Sequence, residues 1–386
     1  VRIAVDSWTL ASRFRCQGTY VYAHHLLHEF KKIAVADPGI SFSLFASNRN
    51  GNDAWKIGAE GNFQLSASPL LDYERLWRMG GASFSAVRAG ADIMFIPTAA
   101  TLPLGGMPSV CTIHDVTAIT MPSHSAKVVG WQRFLLKSCA RFSRALIACS
   151  ECTKKDIVQF LGVPEERISV VHNGMDHSIF NDAPADPDKL NGLHTHLEIK
   201  KPYVVHHGTI QPRKNLKRLI EAYRLMLARD RNLDLDLVLA GQLGWQFEDI
   251  VELSQNTTGC RGRVILAGIL PDSDLALLIK GASLAVFPSL YEGFCIPMVE
   301  AMACGVPTIA AKTSCLPEIS GNALAYFDPL STEEMAECMQ SVLLDTEKNS
   351  QLWQNGVARA REFSWERCAR ETLRVLVNAG KDGKRP

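Results

Sequence analysis

The chain lacks any excess of charge. Its 41 Lys and Arg stand against 40 Asp and Glu, for a formal net charge of +1. No global field therefore gathers nucleic acid, which is excluded as a partner. The chain also lacks a run of about 18 apolar residues, so no spanning helix is expected. No Gly-x-Gly-x-x-Gly follows the first strand pattern of either half, which disfavours an NAD-dependent oxidoreductase. The Gly-Lys-Ser/Thr order of a P-loop is missing too. No Asp-x-Asp dyad stands at a suitable strand end. Asp234-Leu235-Asp236 precedes its strand and reads as a solvated edge. The eleven Cys are scattered, and only Cys149 and Cys152 make a Cys-x-x-Cys. Without a second pair or a nearby His, that is weak metal evidence. Cys111, Cys149 and Cys304 lie in apolar runs and read as small core residues. This usage suits a reducing cytoplasm. The opening Val1–Asp6 reads as a strand rather than a signal peptide.

What is present is a large apolar fraction, 47% of 386 residues, enough for two domains with buried cores. Strand and helix patterns alternate in both halves, which means parallel sheets with helices on both faces, an α/β class. The spacing predicts strands at Arg2–Asp6, Ser41–Ala46, Ile93–Ile96, Ser109–His114, Ala145–Cys149 and Ile168–Val171. In the second half it predicts them at Tyr203–His206, Leu235–Ala240, Arg263–Leu266, Leu284–Phe287, Pro307–Ala310 and Ala323–Phe327. The Pro- and Asp-rich stretch from Asp182 to Lys189 is the linker candidate. Two Rossmann-like domains are expected to face each other with the active site in the cleft between them. They would span residues 1–180 and 181–363, and the last pattern, from Trp365 to Asn378, is helical.

The most informative segment runs from Pro288 to Pro307. It follows the apolar run Leu284–Phe287, makes a turn, and opens a helix near Ile296 or Pro297, where Pro suits the first helical turn. Glu292 sits on the loop at the strand's C-terminal end, and Glu300 about two turns into the helix. Ligands of open α/β sheets bind at that end. The amides of Phe294, Cys295 and Ile296 point the same way and suit an anion. The plainer reading makes Glu292 a cap and Glu300 a solvated residue; the small apolar run after Glu300 favours a buried helix instead. A second segment, His207-Gly208-Thr209-Ile210-Gln211-Pro212-Arg213-Lys214-Asn215-Leu216, follows the strand Tyr203–His206. Gly208 permits a tight turn, and Arg213 and Lys214 stand at a helix start. Cations oppose the helix dipole there, so strand, glycine turn, two cations and helix N-terminus together read as a diphosphate site.

Other strand ends are less specific. His114-Asp115 closes an apolar strand, and a satisfied core histidine and a ligand-facing one are equally compatible with that position. Gly18, with Tyr20 and Tyr22, lies in the turn before the first helix and is compatible with a phosphate contact or a plain turn. Ser150 is a natural N-cap. Asn173-Gly174 reads as an interdomain turn.

The segment around Glu292 and Glu300 resembles the Glu-x7-Glu motif of retaining GT-B glycosyltransferases of family 4, and the Arg213-Lys214-Asn215 loop resembles that family's diphosphate loop. Similarity extends over nearly the whole chain, with the second half more specific, and it implies that a final helix over residues 364–380 returns to the first domain. At Cys295 the family more often has Gly. If that Gly serves a positive φ, Cys295 is mildly strained; if it allows a phosphate to approach, Cys295 narrows the site. The resemblance implies transfer of a sugar from a nucleotide diphosphate sugar, with retention at the anomeric carbon. Arg213 and Lys214 would stabilise the leaving diphosphate, Glu300 would bind the ribose hydroxyls, Glu292 would contact the donor sugar, and His114 would touch the sugar's primary hydroxyl region. The loop bearing Gly18 would lie near the donor phosphates, and the base would pack near Gly268 and Ile269. No cofactor and no metal are required on this reading. The likeness is greatest to bacterial mannosyl- or rhamnosyltransferases of polysaccharide assembly, the mannosyltransferases above all, which points to GDP-mannose as donor and a saccharide or lipid-linked saccharide as acceptor. UDP-glucose or dTDP-rhamnose transfer, a sugar-nucleotide epimerase and a non-catalytic sugar-nucleotide binding protein are the alternatives.

Arg133, Lys137, Arg141 and Arg144 recur at helical spacing along and just beyond Ser125–Phe142. They read either as a solvated basic face or as a dock on an anionic membrane surface. Localisation is accordingly expected to be cytoplasmic, the second reading adding peripheral attachment to the inner face of the cell membrane.

Overall fold

The computed structural model describes residues 1–11, 18–46, 53–104, 106–121, 126–256 and 261–381. Within them, thirteen strands form two wholly parallel sheets. The first sheet holds β1 (Arg2–Val5), β2 (Ser41–Ala46), β3 (Phe63–Ala67), β4 (Ile93–Ile96), β5 (Ser109–Ile113), β6 (Ala145–Ala148) and β7 (Ile168–Val170). Its order is β3-β2-β1-β4-β5-β6-β7. The second holds β8 (Tyr203–His207), β9 (Asp236–Ala240), β10 (Val264–Gly268), β11 (Leu284–Phe287), β12 (Thr308–Ala311) and β13 (Ala325–Phe327). Its order is β10-β9-β8-β11-β12-β13. Each order reverses once, between β1 and β4 and between β8 and β11, as in a doubly wound Rossmann sheet.

Burial follows from that architecture. Every residue of β4, β5, β8, β9, β11 and β12 is buried, because helices cover both faces of a parallel sheet. Continuous apolar runs were therefore legible as strands, with ends off by one or two residues. β3 carries no such run. Its Phe-Gln-Leu-Ser-Ala buries only Phe63 fully, as an edge strand does, and the sequence pattern passed over it.

The chain divides into two compact units, Val1–Gly174 with Trp365 onward, and Met175–Ser364. The division follows Asn173-Gly174 directly, earlier than the boundary expected at residue 181. The Pro- and Asp-rich stretch is not a linker. Asp186 caps a helix, Pro187–His196, by accepting from the amides of Asp188 (3.0 Å) and Lys189 (3.3 Å). Asp-Pro here marks N-cap and first helical position, the place where Pro's missing N–H costs nothing. The last helix, Trp365–Lys381, belongs to the first unit. Trp365 stacks on His25 of the helix Gly18–Ala36, with ring centroids 5.1 Å apart.

Candidate active site

In the second unit the loops after β8 and β11 meet at the sheet's reversal point. They are joined by their backbones first: Leu290 N donates to the Arg213 carbonyl at 2.9 Å. Asn215 sits in the left-handed region (φ 58°), a conformation its short amide tolerates. From there its Nδ2 donates to the carbonyls of Pro288 (3.1 Å) and Pro329 (2.8 Å). Pro212–Lys214 forms a single 3-10 turn, so Arg213 and Lys214 precede the helix Leu216–Arg229 rather than opening it.

Both cations close on one carboxylate. Lys214 Nζ lies 2.6 Å from Glu292 Oε1 and Arg213 Nη1 lies 2.8 Å from Glu292 Oε2. Ser289 Oγ donates to Oε1 at 2.7 Å, and Arg213 Nη1 also donates to the Tyr291 carbonyl. Glu292 is 5% exposed. Burial pushes its pKa up, but Arg213, Lys214 and the Ser289 hydroxyl outweigh it and hold the carboxyl well below the usual range. The trio carries one net positive charge, so the cluster suits an anion while its carboxylate stays a weak base.

Beneath it, His206 on β8 donates from Nδ1 to the Val286 carbonyl on β11 at 2.9 Å. Burial, and then the nearby Lys214 charge, push this imidazole down to about 3. His207, the last residue of β8, places Nε2 3.1 Å from Glu300 Oε2 on the helix Ile296–Ala303. Glycine is required along this edge. A Cβ on Gly241 (φ 142°) would stand 2.0 Å from the Gly208 carbonyl oxygen, so the ends of β8 and β9 approach as only bare backbone allows. Gly241 N in turn donates to the Gly268 carbonyl at 2.7 Å, linking the end of β10. Ile269 beyond it is 61% exposed.

Cys295 has φ 69° and is the residue before the helix Ile296–Ala303, so the positive-φ reading of this position is the structural one. Burial, and then the Glu292 charge, push its thiol up to about 12. Phe294 is buried edge-on against Phe363, at 5.4 Å, and packs the loop from below. Asp236 corrects the reading of a solvated edge: it is fully buried at the start of β9 and ion-paired with Arg263 at 2.9 Å. Among the described residues no three His, Cys, Asp or Glu side chains cluster to hold a metal ion.

In the first unit, His114 follows β5. Its Nε2 donates to the Pro97 carbonyl beyond β4 at 2.9 Å, and its ring meets Tyr22 edge-on at 4.7 Å. Burial lowers its pKa, against the opposing pull of Pro97 and Asp115. With Nε2 as donor, Nδ1 is the acceptor edge. Asp115 Oδ1 caps the next turn by accepting from Thr117 N at 2.9 Å. Ser150 caps its helix through Thr153 N at 3.1 Å. Gly18 starts the first helix with open space around it; the preceding Arg15, Cys16 and Gln17 lie outside the described residues. Arg133 and Arg144 do not form a free stripe: Arg133 Nε donates to the Ala118 carbonyl at 2.7 Å and Arg144 to the Ala379 carbonyl at 2.9 Å. Lys137 and Arg141 are exposed. No helix among the described residues is long and apolar enough to cross a membrane.

The sequence pattern named Glu292, Glu300, Arg213 and Lys214. It missed Gly241, and it gave no role to Ser289, to His207 or to Asn215 of the Arg213-Lys214-Asn215 loop. Gly241 had a signal, a glycine closing an apolar run as Gly208 does.

Comparison with known proteins agrees with this architecture. Residues 21–179 match the family described as Glycosyltransferase Family 4, and residues 194–359 match Glycosyl transferases group 1. The O-antigen chain mannosyltransferase B of Escherichia coli is 29% identical over 266 residues, 69% of this chain and 69% of that protein. The serotype-specific mannosyltransferase WbdA of Escherichia coli is 27% identical over 274 residues, 70% of this chain but 33% of that longer protein. In fold, the chain is similar to HepE of Anabaena, solved in complex with UDP and glucose, with a TM-score of 0.72 at 20% identity over 97% of this chain and 99% of that one. With a family match on each of its two Rossmann-like domains, this chain belongs to the family 4 glycosyltransferases of GT-B fold.

Proposed function

We propose that the protein is a retaining α-mannosyltransferase of cell-surface polysaccharide synthesis, moving mannose from GDP-mannose to a saccharide or lipid-linked saccharide. The observation that carries the reading is the Arg213–Glu292–Lys214 cluster at the reversal point of the second sheet. The mannosyltransferases among the relatives support the sugar. The donor's diphosphate would meet Arg213 and Lys214, its ribose Glu300, and its base the backbone near Gly268 and Ile269. Positioned charge where the leaving group gathers electrons usually contributes most to lowering such a barrier. Glu292 is poorly suited to be a nucleophile. Both oxygens already accept from cations or from Ser289, and its depressed basicity weakens attack. That favours front-face transfer, with the leaving phosphate taking the acceptor's proton, over the double displacement of two-carboxylate glycosidases. His114 would accept from a sugar hydroxyl through Nδ1. The two cations would replace a metal.

The test is nucleotide release from GDP-mannose, UDP-glucose, UDP-N-acetylglucosamine and dTDP-rhamnose in excess chelator. Release from GDP-mannose alone, lost in Glu292→Ala and Arg213→Ala, is the expected result. Release from another donor moves the sugar assignment, and loss of release in chelator overturns metal independence. Attachment to an anionic membrane rests on the exposed Lys137 and Arg141, each worth about 1 kcal/mol at such a surface. Flotation with anionic but not neutral liposomes, reversed by salt, is expected; failure to float at low salt removes it.

A further inference from the structure

Glu300 and Glu292 lie at the same sheet edge but are held by different chemistry. Glu292 is gripped by two cations. Glu300 is held by His207, which is 2% exposed and ends β8 between the strands of the reversal point. A carboxylate oxygen can only accept, so Nε2 carries the hydrogen. Nδ1 is buried with no hydrogen-bond partner among the described residues. A second N–H there would be a buried donor without an acceptor, which costs more than an idle lone pair. The ring is also wedged edge-on against Phe287, with centroids 5.4 Å apart. It therefore cannot rotate to serve another partner without losing that packing.

Glu300 keeps 15% of its side chain exposed. A carboxylate offers about four acceptor positions, and His207 takes one of them. The rest remain for hydroxyl donors, and the bond from His207 fixes the side-chain torsions that aim them. A lysine at this place would draw the carboxylate's charge to itself, as Lys214 does at Glu292. A histidine donating through one nitrogen anchors the carboxylate and leaves its acceptor strength to the ligand.

We propose that His207 is a positioning residue for the donor ribose: it presets Glu300 to receive the ribose hydroxyls and contributes to affinity for the nucleoside part of the donor, not for its diphosphate. The proposal rests on the reading of Glu300 as the ribose contact. Fixing one rotamer-rich side chain before binding is worth roughly three- to tenfold in affinity.

Calorimetric titration of the whole protein with GDP, UDP and inorganic pyrophosphate tests it, in wild type, His207→Phe, His207→Gln, Glu300→Gln and the double variant His207→Phe/Glu300→Gln. His207→Phe keeps a ring against Phe287 and removes the donor; His207→Gln returns an N–H at similar reach. The expected result is a roughly three- to tenfold weaker nucleoside diphosphate in His207→Phe, unchanged pyrophosphate, recovery in His207→Gln, and a double variant no weaker than Glu300→Gln. Equal loss for nucleotide and pyrophosphate overturns the proposal, as does a His207→Phe that binds nucleotide like wild type while Glu300→Gln does not; the donor-site reading survives both. Wild type that binds pyrophosphate but neither nucleotide overturns the ribose reading and the proposal with it.

Discussion

The two sheets of this protein reverse in the same way, and each has a buried carboxylate at its reversal point, yet the two carboxylates do opposite things. Asp6 follows β1 and accepts from Trp77 Nε1 at 2.7 Å, Thr101 Oγ1 at 2.6 Å and Trp8 N at 3.0 Å. These are neutral donors. Burial dominates over them and over a more distant Arg78, and the Asp6 pKa is raised. Glu292 follows β11 and meets two cations; burial is outweighed and its pKa falls. Topology brings a carboxylate to a strand end in both units. The charge of its neighbours decides whether it holds a loop in place or forms part of an electrostatic device. Fold alone thus locates a site but does not assign its chemistry.

The contrast is broken most strongly by removing each carboxylate. Asp6→Ala leaves the Trp77 and Thr101 donors buried without their acceptor, at about 1–3 kcal/mol each. It is expected to lower the urea midpoint sharply while turnover per folded molecule changes little. Glu292→Gln is expected to lower kcat/KM by about 10²–10³, read from initial rates on the active donor. A large activity loss in Asp6→Ala at full folding would erase the distinction.

The pH dependence of these carboxylates sharpens it. Glu292 has a depressed folded pKa, so its contribution is present above the unfolded value near 4.5 and is lost as pH falls toward the folded one. Asp6 has a raised folded pKa, so its contribution is present below 3.8 and is lost as pH rises through the folded value. Between about pH 3 and pH 7 the stability cost of Glu292→Gln should therefore grow up to about pH 5 and then level off, while that of Asp6→Asn should shrink as pH rises above about 4. Urea unfolding across that range gives both slopes, and parallel trends would refute the assignment. A smaller effect is expected at the tie between the two loops of the second site. Asn215→Ala removes three hydrogen bonds, two to the carbonyls of Pro288 and Pro329 and one from Arg218, and puts Ala at φ 58°, for about 2–3 kcal/mol. Asn215→Gly, which keeps the backbone at ease, should recover part of that loss in the same unfolding measurement.

Much of this protein is decided locally. The apolar runs Leu284–Phe287 and Ser109–Ile113 can bury every residue only as inner strands of a covered parallel sheet. Ser150 and Asp186 start helices because their side chains satisfy amides two or three residues ahead. The strand-end placement of Glu292, Arg213 and Lys214 follows from the same short-range patterns. What the sequence could not determine is which groups meet. Glu292 stands 78 residues from Lys214 and 79 from Arg213, and Glu300 stands 93 residues from His207. Only the lateral order of strands, with β8 hydrogen-bonded beside β11, brings these pairs within about 3 Å. That order is set by how the whole chain buries its apolar faces, a long-range outcome that no local pattern encodes.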